Sequence, residues 1–245
     1  DHRTYLPSVF PAMVLVAQVF RFLKPKWAAI ALLAALAAGC SFWTWQRSLV
    51  WADEVTLWRD CLEKSPLKPR PYNNLGSALS KTGRFEEAAA YLARAVELKP
   101  DYDDARYNLG YVLVQLGQVD AGTRELLEAV RLAPRNYMAH NNLGIAYLLQ
   151  ENYPEAVGHL QEALRLKPDF EAAHNNLGVA LKNQGDLAGA VHHFSEAIRV
   201  NPNYAEAWNN LGVSLKEQGR LKEAEQSFRR ALHISPNYAA ARRNL

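Results

Sequence analysis

Residues that commonly build chemical sites are scarce in this chain, which has two cysteines, Cys40 and Cys61, among 245 residues. With no C-x-x-C spacing they offer neither a disulfide framework nor a metal site, and they read as packing residues. Catalytic spacings are missing too. There is no G-x-S-x-G, no G-x-x-x-x-G-K followed by Ser or Thr, and no H-E-x-x-H. No catalytic residue, metal or cofactor is therefore expected, and this chain by itself is not read as an enzyme. His192 and His193 are adjacent, so a helix points them about 100° apart; they read as exposed polar residues, and Glu86, Glu87, Asp103 and Asp104 as solvated charges. A surplus of one charge is lacking as well. The formal net charge is +3, and from Leu67 onward 21 Lys and Arg stand against 20 Asp and Glu. Such a balance creates no field that draws nucleic acid, which is excluded as an expected partner.

Charge disappears altogether between Trp27 and Trp45, a run of 19 residues. At about 1.5 Å per residue a helix there reaches roughly 28 Å, the thickness of a hydrocarbon layer. Residues 6–23 are apolar apart from Ser8, Gln18 and Arg21. Two transmembrane helices, at about 6–23 and 27–45, are expected, making 1–50 a membrane anchor and a lipid bilayer the partner of residues 6–45. Trp27, Trp43 and Trp45 suit the headgroup boundary. Arg21, Lys24 and Lys26 in the connecting turn outnumber Arg3 and Arg47 outside it, which puts the turn in the cytoplasm. The rest of the chain is then extracytoplasmic: periplasmic in a bacterium, luminal in a eukaryote. Residues 51–66 follow, with Val55, Trp58, Cys61 and Leu62 at helical spacing, and read as a capping helix. The start at Asp1 and the stop at Leu245 within a helical pattern suggest a piece of something longer or a processed form.

What the chain has in abundance is repetition. Asn73-Asn74-Leu75-Gly76 returns as Asn108-Leu109-Gly110, Asn141-Asn142-Leu143-Gly144, Asn175-Asn176-Leu177-Gly178 and Asn209-Asn210-Leu211-Gly212, with the glycines 34 residues apart. Each unit closes on a proline: Pro100, Pro134, Pro168, Pro202 and Pro236. A period of that length marks a helix-turn-helix solenoid. Five full repeats, 69–102, 103–136, 137–170, 171–204 and 205–238, and the start of a sixth fill residues 67–245. Within a unit, Leu75, Gly76, Ala78 and Leu79 mark the inner face of a first helix, and Phe85, Ala88, Leu92, Ala95 and Leu98 the stripe of a second. Gly83 breaks the two apart, as do Gly117, Gly185 and Gly219 in their units. The third unit has Glu151 there and needs a different cap, and Gly122 replaces a helical alanine at about 1 kcal/mol in propensity. His140 and His174 take the slot of Tyr72 and Trp208, which suggests packing.

This pattern resembles the tetratricopeptide repeat family over 69–238. The resemblance implies an all-α fold, a right-handed superhelix preceded here by two transmembrane helices, with first helices lining the concave side. Asn74, Asn108, Asn142, Asn176 and Asn210, preceded in four units by Asn73, Asn141, Asn175 and Asn209, then form a row of amides that can donate to and accept from an extended peptide backbone. That row is similar to the asparagine ladder of the O-linked N-acetylglucosamine transferase superhelix. The alternative is that each amide only bonds within its own unit. One turn on come Tyr111, Ile145 and Val179, with Ser77 and Val213, followed by Val114, Leu148 and Leu149. If they face the groove they give it an apolar middle, and if they face inward they are core. The opening Asp1-His2-Arg3-Thr4-Tyr5-Leu6-Pro7-Ser8 and the stretch from Trp51 to Asp60 resemble the transmembrane and tetratricopeptide-containing family of C-type glycosyltransferases. Three functions are thus expected: a membrane-anchored scaffold binding a protein or extended peptide in its groove; the acceptor-presenting C-terminal part of a multi-spanning glycosyltransferase; or a structural subunit docked in a larger membrane complex.

Overall fold

The computed structural model describes Gln18, Arg21, residues 26–51 and residues 53–245. Every element among them is a helix: α1 (Lys26–Trp51), α2 (Glu54–Lys64), and then the pairs α3 (Pro69–Lys81) with α4 (Phe85–Leu98), α5 (Asp103–Gln115) with α6 (Val119–Leu132), α7 (Tyr137–Leu149) with α8 (Tyr153–Leu166), α9 (Glu171–Asn183) with α10 (Leu187–Val200), α11 (Ala205–Glu217) with α12 (Leu221–Ile234), and a short α13 (Ala239–Asn244). The chain divides into two compact units, Asp1–Cys61 and Leu62–Leu245.

In the first unit α1 has 26 residues, and its apolar side chains Trp27, Ile30, Phe42, Trp43 and Trp45 are exposed. Among the described residues, however, no helix combines such length with enough apolarity to cross a membrane. The expected pair of transmembrane helices is thus not supported. The stretch 6–23 lies outside the described residues apart from Gln18 and Arg21. Helix α2 forms where a capping helix is expected and buries Val55.

The second unit is the repeat stack. Each first helix packs on the second helix of its own repeat, and that second helix packs on the first helix of the next. The close approach within a pair requires glycine. A Cβ on Gly76 would lie 2.5 Å from Leu92 Cγ, and one on Gly178 would lie 2.6 Å from Phe194 Cε1. Leu92, Leu126, Leu160, Phe194 and Phe228 are the fully or almost fully buried side chains that fill this space, which is why the slot tolerates two shapes but no polar group. Gly122 is likewise a packing residue and not only a propensity cost, because its Cβ would meet Gly110 O at 2.8 Å and Val114 Cγ2 at 2.7 Å.

The turn between paired helices needs one residue with a left-handed backbone. Gly83, Gly117, Gly185 and Gly219 supply it with φ between 76° and 89°, and in the third repeat Glu151 takes the same conformation at φ 57°. No different cap is used there: Asn152 N donates to Tyr147 O just as Arg84 N donates to Leu79 O. The expected change of turn is replaced by a strained residue in the usual turn.

Among the described residues, first helices of successive repeats touch one another, whereas second helices of successive repeats do not. Elements that touch across every junction are closer together than those that do not, so this stack bends with its first helices on the inner wall.

Candidate functional site: the inner wall

The inner wall is built from the asparagine slots, and the structure gives them a job that neither sequence reading contains. In every junction the second asparagine of one repeat donates its amide backward to the slot before it in the preceding repeat. Asn108 Nδ2 donates to Asn73 Oδ1 at 2.9 Å, Asn176 to Asn141 at 3.0 Å, Asn210 to Asn175 at 3.0 Å and Asn244 to Asn209 at 3.0 Å. Where Tyr107 replaces the first asparagine, its hydroxyl accepts from Asn142 Nδ2 at 3.3 Å. Burial raises the Tyr107 phenol above its ordinary pKa, so it stays a neutral hydroxyl there. Asn73, Asn141 and Asn209 pass the chain on by donating to Asn74, Asn142 and Asn210 in their own repeats, while Asn175 donates to Glu206 Oε1 at 3.1 Å.

These contacts sort the candidate residues. Asn73, Asn141, Asn175 and Asn209 are buried in the repeat junctions and are not part of an open surface. Asn74, Asn108, Asn142, Asn176 and Asn210 are half-buried at the edge of the wall. Each already spends part of its hydrogen-bonding capacity inside the stack, Asn142 and Asn210 as both donor and acceptor, so the row has less to give a bound peptide than free amides would. Each bond contributes about 1 kcal/mol net, and leaving a buried amide unpaired costs about 1–3 kcal/mol.

The apolar row divides as well. Tyr111 is 36% exposed and Leu149 58% exposed, joined on α7 by Met138, 44% exposed. Ile145 is half-buried. Val179 and Val213 are half-buried against the core around Phe194 and Phe228, Leu148 packs on the core around Leu160, and Val114 is core outright. The row is thus split between residues left exposed, such as Tyr111 and Leu149, and residues taken into the core, such as Val114. Between α3 and α5 the wall opens into a pocket of about 200 Å³ lined by Ser77, Ser80, Lys81, Tyr107, Asn108 and Tyr111.

A second repeated slot lies behind the wall. The residue six positions after Pro66, which ends the segment before the repeats, and after each repeat-closing proline binds that proline's carbonyl: Tyr72 to Pro66 at 3.1 Å, Arg106 to Pro100 at 2.7 Å, His140 to Pro134 at 3.1 Å, His174 to Pro168 at 3.0 Å, Trp208 to Pro202 at 3.0 Å and Arg242 to Pro236 at 2.8 Å. The slot selects a long side chain with a polar hydrogen, whatever its type, because the carbonyl must be satisfied. It also has a partner nineteen residues on. Arg106 pairs with Glu125 at 2.6 Å, His140 with His159 at 3.2 Å and His174 with His193 at 3.1 Å. His193 is therefore a half-buried, bonded residue, unlike exposed His192, and the reading of both as solvated is corrected for His193.

Comparison with known proteins agrees with this architecture. Residues 172–239 and 103–136 match models described as tetratricopeptide repeat, and residues 76–117 and 146–185 one described as TPR repeat. Together these stretches cover well over half of the chain. The curated relatives include the Drosophila melanogaster protein O-mannosyl-transferases Tmtc2, 38% identical over 72 residues (29% of this chain and 8% of that protein), and Tmtc1, 39% identical over 64 residues (26% and 7%). The chain thus spans less than a tenth of the relatives it matches. Among solved structures, YrrB, described as a TPR protein with an unusual peptide-binding site, is 25% identical with a TM-score of 0.61, covering 76% of this chain and 96% of that one. The Cut9 and Hcn1 assembly, at 21% identity and TM-score 0.68 over 77% of this chain and 38% of that one, shares the fold.

Proposed function

Because the chain belongs to the tetratricopeptide repeat family, we propose that it is a scaffold whose inner wall holds a segment of another protein in extended form. The observation that carries this is the exposure of Tyr111, Met138 and Leu149 on consecutive first helices, beside a pocket into which Asn108 and Lys81 also face. Apolar side chains of the bound segment would be buried there, at about 25 cal/mol per Å² removed from water. Half-spent amides beside them would orient its backbone: among the described residues Asn108 and Asn176 donate within the ladder and keep an acceptor oxygen unused. YrrB, a similar structure, is described by its peptide-binding site, which supports the same use here.

The test replaces wall residues that lie outside the ladder. A display library of extended peptides selected on the 245-residue chain is expected to enrich apolar sequences, and Tyr111→Ala with Leu149→Ala should weaken their binding at least tenfold with an unchanged melting temperature. Equal binding by that double variant would remove the wall from the mechanism.

A second reading is favoured by the resemblance to the O-mannosyl-transferases: the repeats present acceptor proteins to the catalytic part of a longer membrane enzyme. Membrane attachment through residues 27–45, with the repeats on the extracytoplasmic side, belongs to this proposal and is supported by the uncharged, tryptophan-flanked run. Flotation of the chain with lipid vesicles tests the attachment. A chain that stays in the aqueous fraction after loss of detergent sinks it.

A further inference from the structure

The last residue of each first helix lies seven positions after the second, half-buried asparagine, two turns along the same face. Through the five repeats that place is held by Lys81, Gln115, Leu149, Asn183 and Glu217, and all five are exposed. Lys81 lines the same pocket as Asn108 and Tyr111, so this row borders the amide wall. Its chemistry runs from a cation through a neutral amide to an apolar side chain, then through a second amide to an anion. We propose that the row is a charge code: it selects extended segments that carry opposite charges at their two ends and an apolar middle, and it sets the direction in which they lie. The inference rests on the scaffold reading above and names the kind of partner that the scaffold takes.

A second row on the wall agrees with the first. Four positions before the same asparagine stand Arg70, Asp104, Met138, Ala172 and Glu206. These side chains meet the wall, since the Tyr107 hydroxyl lies 3.8 Å from Met138 Sδ and Asn175 donates to Glu206 at 3.1 Å. Here too the cation is in the first repeat, the large apolar residue in the third and an anion in the fifth. Asp104 departs from that order, but one carboxylate against Arg70 and Lys81 leaves the first end positive. At the other end Glu206 and Glu217 are both acidic. Lys182 and Lys216 stand one place before the first row, about 100° round the helix. The Lys216 ammonium donates to Asn244 O at 3.3 Å, and Arg243 lies one repeat further on.

Helix stability accounts for only half of the row. The macrodipole favours a cation in the last turn of a helix and disfavours an anion there, so Lys81 helps α3 whereas Glu217 opposes α11. First helices in contact stand about 8–10 Å apart, and an extended chain advances about 3.3 Å per residue. Four steps from Lys81 to Glu217 therefore match a segment of about 10–12 residues, with its apolar centre against Leu149 and Met138. Exposed ion pairs add little affinity. The selection comes instead from the clash of like charges when a segment carries the wrong end.

The experiment uses three fluorescent peptides of about twelve residues that share one apolar core and differ at their ends: Glu and Lys, Glu at both, or Lys at both. Polarisation titrations with the 245-residue chain at low salt are expected to show the Glu and Lys peptide bound about tenfold tighter than the other two, with the gap narrowing in high salt. The K81E variant should then prefer the peptide with Lys at both ends, and E217K the one with Glu at both ends. The K81E/E217K variant should return to the mixed peptide in the reverse direction. A photo-crosslinker beside the peptide's glutamate reads that direction: it should mark the first repeat in the wild type and the fifth in the double variant. E217K also relieves the dipole of α11, so its changed preference is not a failure to fold. Equal binding of the three peptides, a ranking that K81E and E217K leave unaltered, or a crosslink that stays in place in the double variant overturns the code and leaves the scaffold standing. Binding of none of the peptides removes the scaffold reading with it.

Discussion

Repeats two and three are neighbours that do the same mechanical jobs with different atoms. The carbonyl of the preceding proline is capped by Arg106 in one and His140 in the other, and the capping residue is steadied by Glu125 in one and His159 in the other. The acceptor passed to the next repeat is a tyrosine hydroxyl in one and an amide in the other. The helix crossing is made with Gly122 or Ala156, and the turn with Gly117 or Glu151. A repeat, then, conserves roles within its own chain more strictly than it conserves residue types. Among the polar side chains that join one repeat to the next, the asparagine that reaches backward does not vary, because it must span a fixed gap with a short, rigid donor.

That comparison breaks hardest at Arg106. Replacing it with Met strands Glu125, three-quarters buried, and bares the Pro100 carbonyl. Loss of a buried partner costs about 3–5 kcal/mol. With partial solvent access the expected loss is about 2–3 kcal/mol in urea unfolding, and His140→Met should lose less, since it strands no charge. Next is Gly122→Ala, which must push apart two backbones now held at 2.8 Å from the added carbon. It should destabilise by about 2 kcal/mol, whereas Ala156→Gly in the next repeat loses about 1 kcal/mol of helix propensity.

A pH titration sharpens the contrast further. Burial holds the pKa values of His159, His174 and His193 below 6.5, so on acidification the unfolded chain takes up protons before the folded one does. Stability is then full above about pH 6.5 and falls toward pH 4. Rebuilding the third repeat on the second, with His140→Arg and His159→Glu, should flatten that fall, and an unaltered melting profile across the window would refute the assignment. The smallest effect is expected at Glu151, whose left-handed backbone costs about 1–2 kcal/mol for a residue with a Cβ. Glu151→Gly should recover up to about 1 kcal/mol and raise the melting temperature slightly.

The helix pairs, their boundaries and the buried leucine and phenylalanine slots were legible because a 34-residue period reports packing that every unit must repeat. The amide ladder was only half legible. Its members stand out in sequence, but the bond joins residues 35 apart, one more than the period, and a search that compares equal slots does not place Asn108 on Asn73. The carbonyl-capping slot escaped for another reason. Tyr72, Arg106, His140 and Trp208 share no class of size, charge or polarity, and what unites them is a polar hydrogen six residues after a proline. His193 was misread because its partner lies on another helix, nineteen positions back, where no helical periodicity points.

The backward reach of each asparagine also sets how the stack comes apart. Every joint is fastened by the same kind of latch, thrown from the later unit to the earlier one, so no unit is locked by a neighbour two places away. Pulled from its C-terminal end, the array would peel like a zip in equal steps of one hairpin, and a chain lengthened or shortened by whole units would refasten with no new part.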